Sequence, residues 1–251
     1  MPYLGYLLAQ AIKAGDTIAT ALTNATNFVT KVGGSVVDLS PSVEPLKSPS
    51  DGSAYFSESN GWWAYSGLYL DAGEDFTILA WVKGVADAGH ATVLGHAGFR
   101  FQIRNNEEIR IDMTTGSVHN NITYTHPQSF LNEWYQIGIK KTGSSIRFFV
   151  NGVSYGGDTS LSITPRAGTG VRIGRDGLST IGGADVFTGR LFNMAIWARP
   201  LTDAEGKSIY NKKYDELTAS ETKGLISWYG LDDINGTTVP DSHGNYNGTA
   251  N

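Results

Sequence analysis

Hydrophobic positions alternate with polar or small ones over many short stretches of the chain, as they do in β-strands. Residues 191–197 show this most clearly, because their side chains divide between two predicted faces. One face carries Phe192, Met194 and Ile196, and the other carries Leu191, Asn193, Ala195 and Trp197. Pro200 ends the strand because it has no N–H to give to a ladder. Thr202 and Glu205 follow at capping-box spacing, which predicts a short helix beginning at Thr202.

Further strand patterns are joined by short turns. Residues 76–83 are apolar on both predicted faces, as expected of a central strand. Residues 99–104 and 108–113 flank Asn105-Asn106 and predict a hairpin. Its outer face carries Arg100, Arg104, Glu108, Arg110 and Asp112, which predicts cross-strand ion pairs. At least eight strand patterns with little helix between them predict an antiparallel β-sandwich.

The first 34 residues follow a different pattern. Apolar residues recur at helical spacing on both sides of a break at Gly15, and Gly33-Gly34 ends the second stretch. We therefore predict a short helical N-terminal arm at residues 1–34 and a β-sandwich at 35–251. Two interpretations of the arm stay open: it packs on its own domain, or it serves oligomerisation or docking.

Composition narrows the function classes. The chain has 251 residues, 31 glycines and a net charge of -5, and this acidic balance argues against nucleic-acid binding. The absence of cysteine excludes disulfides and thiolate metal sites. No basic residue precedes the N-terminal apolar stretch, which Gly5 and Gln10 interrupt. These features predict neither a cleaved signal peptide nor a membrane span.

Four stretches, taken in order, resemble one family. They read FTILAWVKG at 76–84, EWYQIGIKKTGSSIRFFVNG at 133–152, VRIG at 171–174 and FTGRLFNMAIWARPLTDAEGKSIYN at 187–211. Together they resemble the laminin G-like, or concanavalin A-like, lectin/glucanase sandwiches. The resemblance implies an all-β, antiparallel jelly-roll fold that mainly serves binding, with calcium at the rim in some members. It also implies one short helix after the last core strand.

The C-terminal residues 225–249 resemble a segment that usually opens such a domain. Either the sandwich is circularly permuted, with 221–251 returning as its terminal strand and tail, or this segment belongs to a neighbouring unit. We favour the first interpretation, because the termini of sandwiches often lie close together.

Two sets of side chains are candidates for binding. Trp62, Trp63 and Tyr65 are candidates for a glycan contact, since adjacent strand residues point to opposite faces and one tryptophan can be exposed. Calcium, the one cofactor considered, needs clustered oxygen ligands. Its candidates are Asp176, Asp185, Asp232, Asp233 and Asp241. The alternative for these carboxylates is an ordinary solvated turn, and no cofactor is required.

Catalytic chemistry has little support in the sequence. Retaining glucanases of this fold carry close carboxylates in an E-x-D-x-x-E pattern, which the chain lacks. The nearest acidic group, at 107–112, is interleaved with arginine, and the histidines show no ligand spacing. The sequence therefore predicts a protein that is not an enzyme.

The resulting hypothesis is a structural or binding protein of a virion surface, such as a bacteriophage decoration, fibre or tail component. Its arm would contact other virion proteins or form a homo-oligomer, and its sandwich would contact host or surface glycans. One alternative is a bacterial carbohydrate-binding or adhesion module outside the cell that has no recognisable signal peptide. The other is a polysaccharide hydrolase.

Overall fold

The computed structural model describes residues 53–56, 63–84, 89–176 and 185–250, except for the side chains of 157–159 and 169. The chain divides into two units, Met1–Pro45 and Leu46–Asn251, and all described residues lie in the second. The predicted arm at 1–34 and the candidate Trp62 lie outside the described residues. Within the described part, no helix is long and apolar enough to span a membrane.

Two antiparallel sheets make up the described structure. The seven-stranded sheet contains β1 (Ala54–Phe56), β3 (Phe76–Gly84), β8 (Tyr135–Thr142), β9 (Ser145–Val150), β10 (Val153–Ser160), β12 (Gly189–Trp197) and β13 (Leu225–Tyr229). The eight-stranded sheet contains β2 (Ala64–Leu70), β4 (His90–His96), β5 (Phe99–Arg104), β6 (Glu108–Thr114), β7 (His119–Thr125), β11 (Gly168–Ile173), β14 (Thr238–Val239) and β15 (Gly248–Ala250). The predicted all-β sandwich is confirmed.

The strand order explains which surfaces are buried. The first sheet runs β1-β12-β3-β8-β9-β10, with β13 also on β12, and the second runs β14-β15-β2-β11-β4-β5-β6-β7. Alternate side chains of both sheets meet in one apolar core, where Phe76 of β3 stacks on Phe99 of β5 with ring centroids 5.4 Å apart.

The hairpin predicted around Asn105-Asn106 is β5–β6. Both asparagines have positive φ, a conformation that asparagine adopts more readily than most residues.

Strand β12 differs from its predicted pattern because it contains a bulge. Its pairing with β3 shifts register between Phe192 and Ala195, and Asn193 there has a φ of 43°. Because the bulge adds one residue, the side chains that follow it point to the faces opposite to those that simple alternation predicts. The main core therefore receives Leu191, Met194 and Ile196. The prediction that Phe192 shares a face with Met194 and Ile196 is wrong for this reason.

Helix α1 (Asp203–Ile209) begins where the sequence predicts it. Thr202 Oγ1 accepts a hydrogen bond from the Glu205 backbone N–H at 3.1 Å, and Glu205 Oε2 accepts one from the Thr202 N–H at 2.8 Å. Hydrogen bonds from Arg199 lower the pKa of Glu205 to about 2. The helix covers a second apolar cluster on the outer side of the seven-stranded sheet, formed in part by Phe149 and Trp197.

Hydrogen bonds to the buried carboxylate of Glu221 stabilise the segment that follows α1. Glu221 accepts hydrogen bonds from Lys212 Nζ at 2.7 Å and from the Thr218 N–H at 2.7 Å. Burial alone would raise the pKa of Glu221, but these hydrogen bonds lower it to about 2. The Glu221 backbone carbonyl accepts the indole N–H of Trp197 at 2.8 Å, so this segment is tied to the second apolar cluster.

The C-terminal segment pairs within its own chain. Strand β13 pairs with β12 in one sheet, and β15 pairs with β2 in the other. The Tyr229 hydroxyl donates to Ser66 Oγ at 2.7 Å and lies 2.8 Å from the Tyr246 carbonyl oxygen. This tail therefore crosses from one sheet to the other and contributes an immediate neighbour to β2.

Candidate functional site

The candidate site is the surface of the eight-stranded sheet that faces away from the core, which we call the outer polar face. It is formed by alternate residues of β2, β11, β4, β5, β6 and β7 and by the loop that follows β11. Its principal side chains are Trp63, Tyr65, Tyr69, Thr92, Arg100, Gln102, Arg104, Glu108, Arg110, Asp112, His119, Asn121, Arg172, Arg175, Asp176 and Asp185.

An aromatic stripe runs along β2. Trp63, Tyr65, Gly67 and Tyr69 are spaced two residues apart, so they share one face of the strand. Tyr65 is 41% exposed and Tyr69 is 53% exposed. A Cβ added at Gly67 would meet nothing within 4 Å. The two tyrosines therefore stand about 13 Å apart along the strand, with an open gap between them.

A glycine of the neighbouring strand lies directly against Tyr65. Gly170 has a φ of 86° and lies at a register shift in the β11–β2 ladder. A Cβ at this position would collide with the Tyr65 ring. Only glycine meets both the backbone and the space requirements here, so the Tyr65 ring lies against the backbone of β11.

Trp63 binds two cationic side chains. The guanidinium carbons of Arg172 and Arg175 lie 5.6 Å and 5.4 Å from the centroid of the Trp63 ring. Each contact of this kind stabilises by about 0.5–2 kcal/mol, depending on exposure. Trp63 thus positions two guanidinium groups at one end of the aromatic stripe. Tyr65 and Tyr69 provide its exposed rings.

Arg100 is the centre of a buried charge network on the same face. Its Nε donates to Asp112 Oδ2 at 3.1 Å, and its Nη2 also contacts that oxygen. Its Nη1 lies 3.5 Å from Asp176 Oδ2 and 3.6 Å from Asp185 Oδ2. Burial alone would lower the pKa of Arg100, but the hydrogen bond and charge of Asp112 raise it. The guanidinium therefore stays charged and joins the sheet to the loop that follows β11.

The loop has further ties to the sheet. Gln102 Nε2 donates to Asp185 Oδ2 and to Thr92 Oγ1, each at 3.1 Å. Val186 forms isolated bridges with Thr92 and with Arg175. Both ends of the loop are thereby fixed over β4 and β5, which sets the position of Arg175 beside Trp63.

The remaining polar side chains of the face also hydrogen-bond to one another. His119 Nδ1 lies 3.1 Å from Asp112 Oδ2, and Arg110 donates to Asn121 Oδ1 from Nη2 at 2.6 Å. Cross-strand ion pairs, which the sequence predicts for this hairpin, are present as Arg100–Asp112 and Arg104–Glu108, the second at 3.9 Å. Asp112 lies on the predicted outer face, but it is fully buried, with Arg100 and His119 against it.

The predicted calcium ligands separate into two locations. Asp176 and Asp185 do come together, but the cation between them is Arg100. Asp241 is buried in the tail, where it accepts the backbone N–H groups of Trp228 at 2.8 Å and His243 at 3.1 Å. Asp232 and Asp233 are neighbours there, and burial followed by the charge of Asp232 raises the pKa of Asp233. Among the described residues, no group of three or more His, Asp or Glu side chains could hold a metal ion. The side chains that surround Asp176 and Asp185 do not fit calcium, and calcium binding by this chain stays a prediction.

Acidic residues 107–112 show no catalytic geometry in the described structure. Asp112 is occupied by Arg100 and His119, and Glu108 lies beside Arg104. A glycosidase needs one carboxyl that can donate a proton and a second that can attack or activate water. Asp112 is instead hydrogen-bonded to Arg100, and Glu108 lies 3.9 Å from Arg104.

The sequence named Trp63 and Tyr65 as candidates for a glycan contact, but it did not name Tyr69, Arg172 or Arg175, which share the same face. Continued alternation along β2 places Tyr69 on the same face as Tyr65, so this signal was present in the sequence. The two arginines carry no such signal, because their proximity to Trp63 depends on the pairing of β11 with β2.

Comparisons with known proteins agree with the fold. The profile of the concanavalin A-like lectin/glucanases superfamily matches residues 49–205. No curated protein sequence matches the chain. A solved structure from Bacteroides ovatus ATCC 8483, whose name reads "putative carbohydrate binding protein", superposes with a TM-score of 0.62 at 19% identity. The match covers 80% of this chain and 58% of that one, so the chain spans less than two thirds of that structure.

Two further structures are similar over a smaller part of the chain. The heptameric SAP-like pentraxin from Limulus polyphemus matches at 17% identity and a TM-score of 0.49, covering 64% of this chain and 82% of that one. The CBM40 of the Ruminococcus gnavus IT-sialidase, bound to α2,3-sialyllactose, matches at 15% identity and a TM-score of 0.48, covering 63% and 96%. The two-sheet topology and the profile match over more than half of its length identify the chain as a member of the concanavalin A-like lectin/glucanases superfamily, in its laminin G-like branch.

Proposed function

We propose that the chain is a non-enzymatic glycan-binding protein whose contact surface is the outer polar face. The observation that carries the proposal is the aromatic stripe of β2, with Tyr65 and Tyr69 exposed on either side of Gly67. A sugar ring presents C–H groups on its faces and hydroxyls at its edge. Flat aromatic rings suit the faces, and nearby arginine and amide side chains suit the hydroxyls.

Two further observations support this proposal. The superfamily is named for lectins as well as glucanases, and the similar structure from Bacteroides ovatus is named as a "putative carbohydrate binding protein". The carboxylates of the described outer polar face are engaged with cations, which leaves the face with binding groups rather than a catalytic pair. Release of reducing sugar from a laminarin-like glucan by the purified protein would contradict the non-enzymatic assignment.

The first test is a pair of matched tyrosine substitutions in the full chain. Tyr69→Ala should weaken glycan binding by about tenfold or more, because aromatic contacts dominate such surfaces. Tyr55→Ala is the control, since Tyr55 is 44% exposed but lies on the other sheet. Affinities of wild type and both variants would be measured by calorimetry with ligands found in a glycan screen. Equal affinities for the two variants would remove β2 from the site.

The second test fills the gap between the tyrosines. Gly67→Leu adds a side chain into open space in a strand, so it should leave the thermal midpoint unchanged or higher. It should nevertheless abolish binding by separating the ligand from the two rings. Gly89→Leu is the matched control, because a Cβ at Gly89 also meets nothing within 4 Å. Full binding by a folded Gly67→Leu variant would show that the ligand lies elsewhere.

A finer assignment rests on the sequence of residues 1–34. The apolar stripe of this arm supports a virion surface component, in which the arm docks on other virion proteins or forms a homo-oligomer. Light scattering of the full chain beside a variant lacking 1–34 tests it. An oligomer that becomes a folded monomer on truncation supports the arm as the assembly element. Glycan binding by a protein that is monomeric with and without the arm, and that binds no particle, favours the alternative adhesion module.

A further inference from the structure

We propose that the outer polar face selects an acidic saccharide, one that carries a carboxylate or a sulfate ester, and that Arg175 receives the anionic group. This inference rests on the proposed function, and it adds the chemical class of the ligand. It follows from the cations that converge on Trp63 at the end of the aromatic stripe.

Arg175 differs from the other arginines of the outer polar face in its partners. Arg100, Arg104 and Arg110 contact Asp112, Glu108 and Asn121, respectively. Within the described structure, Arg175 forms no ion pair, and its guanidinium lies over the Trp63 ring. The carboxylate of the adjacent Asp176 points to Arg100 instead. Arg175 therefore presents a positioned cation with remaining hydrogen-bond donors.

A second cation lies on the same ring. Arg172 is 5.6 Å from the Trp63 centroid, so two positive charges converge on one indole. Two guanidinium groups on one ring give this end of the aromatic stripe a local positive potential, which attracts an anion. Guanidinium groups also match the planar, two-oxygen geometry of a carboxylate, and they bind sulfate oxygens in the same way.

The cations and the tyrosines are placed so that one ligand can reach both. Arg172 of β11 is the direct cross-strand partner of Tyr65, and Trp63 is two residues before Tyr65 on the same face. The anionic group would lie at the Arg175 end, while the sugar rings extend along β2 past Tyr65 toward Tyr69. The chain carries a net charge of -5, so acidic ligands need such a local cationic site.

The test uses the full-length protein on an array that presents neutral, carboxylated and sulfated forms of the same saccharide cores. Wild type should bind acidic members at least tenfold more tightly than their neutral cores. Arg175→Gln should remove that preference, and Arg175→Lys should retain part of it. Arg190→Gln is the matched control, since Arg190 also lies over an aromatic ring, that of Tyr55, but on the other sheet, and it should bind as wild type does. Thermal unfolding of each variant checks that it is folded.

Calorimetry then separates the two anion sources and the electrostatic contribution. The best acidic ligand is compared with its neutral core at about 0.05 M and about 0.5 M NaCl, where screening differs strongly. Preference for carboxylated over sulfated members, or the reverse, identifies the anion. Binding of neutral and acidic members with equal affinity, unaffected by Arg175→Gln, would overturn this inference and leave the proposed function intact. No binding to any member of a broad array would overturn both.

Discussion

Loss of the Arg100 side chain should lower the free energy of unfolding more than loss of most other side chains of the outer polar face. Its substitution therefore gives a quantitative test of the buried charge network. The substitution is Arg100→Met, which keeps an unbranched chain of similar length but removes the charge. The side chain of Asp112 is 1% exposed and that of Asp176 is 7% exposed, so water cannot replace the missing guanidinium. Removing one partner of a buried ion pair costs about 3–5 kcal/mol.

This cost is a large part of the about 5–15 kcal/mol that stabilises a typical domain. For a slope of about 2–3 kcal/mol per molar urea, the unfolding midpoint should fall by about 1–2 M. Arg104→Met is the control, since it lies on the same strand and its side chain is 42% exposed. An exposed pair contributes about 0–1 kcal/mol, so this control should shift the midpoint by less than about 0.5 M.

The assay is urea unfolding followed by tryptophan fluorescence and circular dichroism, with both probes required to coincide. A double variant, Arg100→Met with Asp112→Leu, removes the stranded carboxylate and should recover about 0.5–3 kcal/mol. In the absence of urea, where the variant is folded, Arg100→Met should also weaken the binding of acidic saccharides, because Arg100 helps to fix the loop that carries Arg175. Equal midpoints for Arg100→Met and Arg104→Met would refute the reasoning.

Three other predictions concern stability. Thr202→Ala removes the N-cap of α1 and should cost about 1 kcal/mol, measured by urea unfolding, with Thr202→Ser close to wild type. The pKa values of Glu205 and Glu221 are about 2, below the unfolded value, so their stabilisation is present above about pH 4.5 and is lost as pH falls toward 2. Each contributes up to about 3 kcal/mol, and Glu221→Gln should flatten the acid limb of a midpoint-against-pH curve. Gly170→Ala should cost at least about 1–2 kcal/mol of stability, because position 170 has a positive φ and lies against the Tyr65 ring. Calorimetry should also show weaker glycan binding by the folded variant. Unchanged stability and unchanged binding would contradict the role assigned to this glycine.

Local patterns in the sequence predicted the local features of the fold. The hairpin at Asn105-Asn106 and the capping box of Thr202 depend on residues a few positions apart, and both are present. The bulge at Asn193 was not predicted, because one extra residue leaves the composition of the strand unchanged. The only signal for the bulge in the sequence is Asn193 itself, because asparagine tolerates positive φ better than most residues.

The candidate site was predictable only along a single strand. Alternation places Trp63 and Tyr65 on one face, whichever strands lie beside them. The network around Arg100 joins residues that are 76 positions apart in the case of Asp176, and no periodicity reports such a distance. For this reason Asp176 and Asp185 resembled a calcium loop in the sequence, although the structure places a guanidinium between them.

The position of β2 has a consequence for how the chain folds. Its ladder partners are β11 and β15, neither of which is close to it in sequence, and the Tyr229–Ser66 hydrogen bond spans 163 residues. Hairpins such as β5–β6 and β8–β9 close short loops and can form within microseconds. Pairings across such long separations form slowly, because their loop-closure entropy is lost before the contacts compensate. The tyrosine surface should therefore be completed late in folding, so that a chain with most of its strand content can still lack the ability to bind.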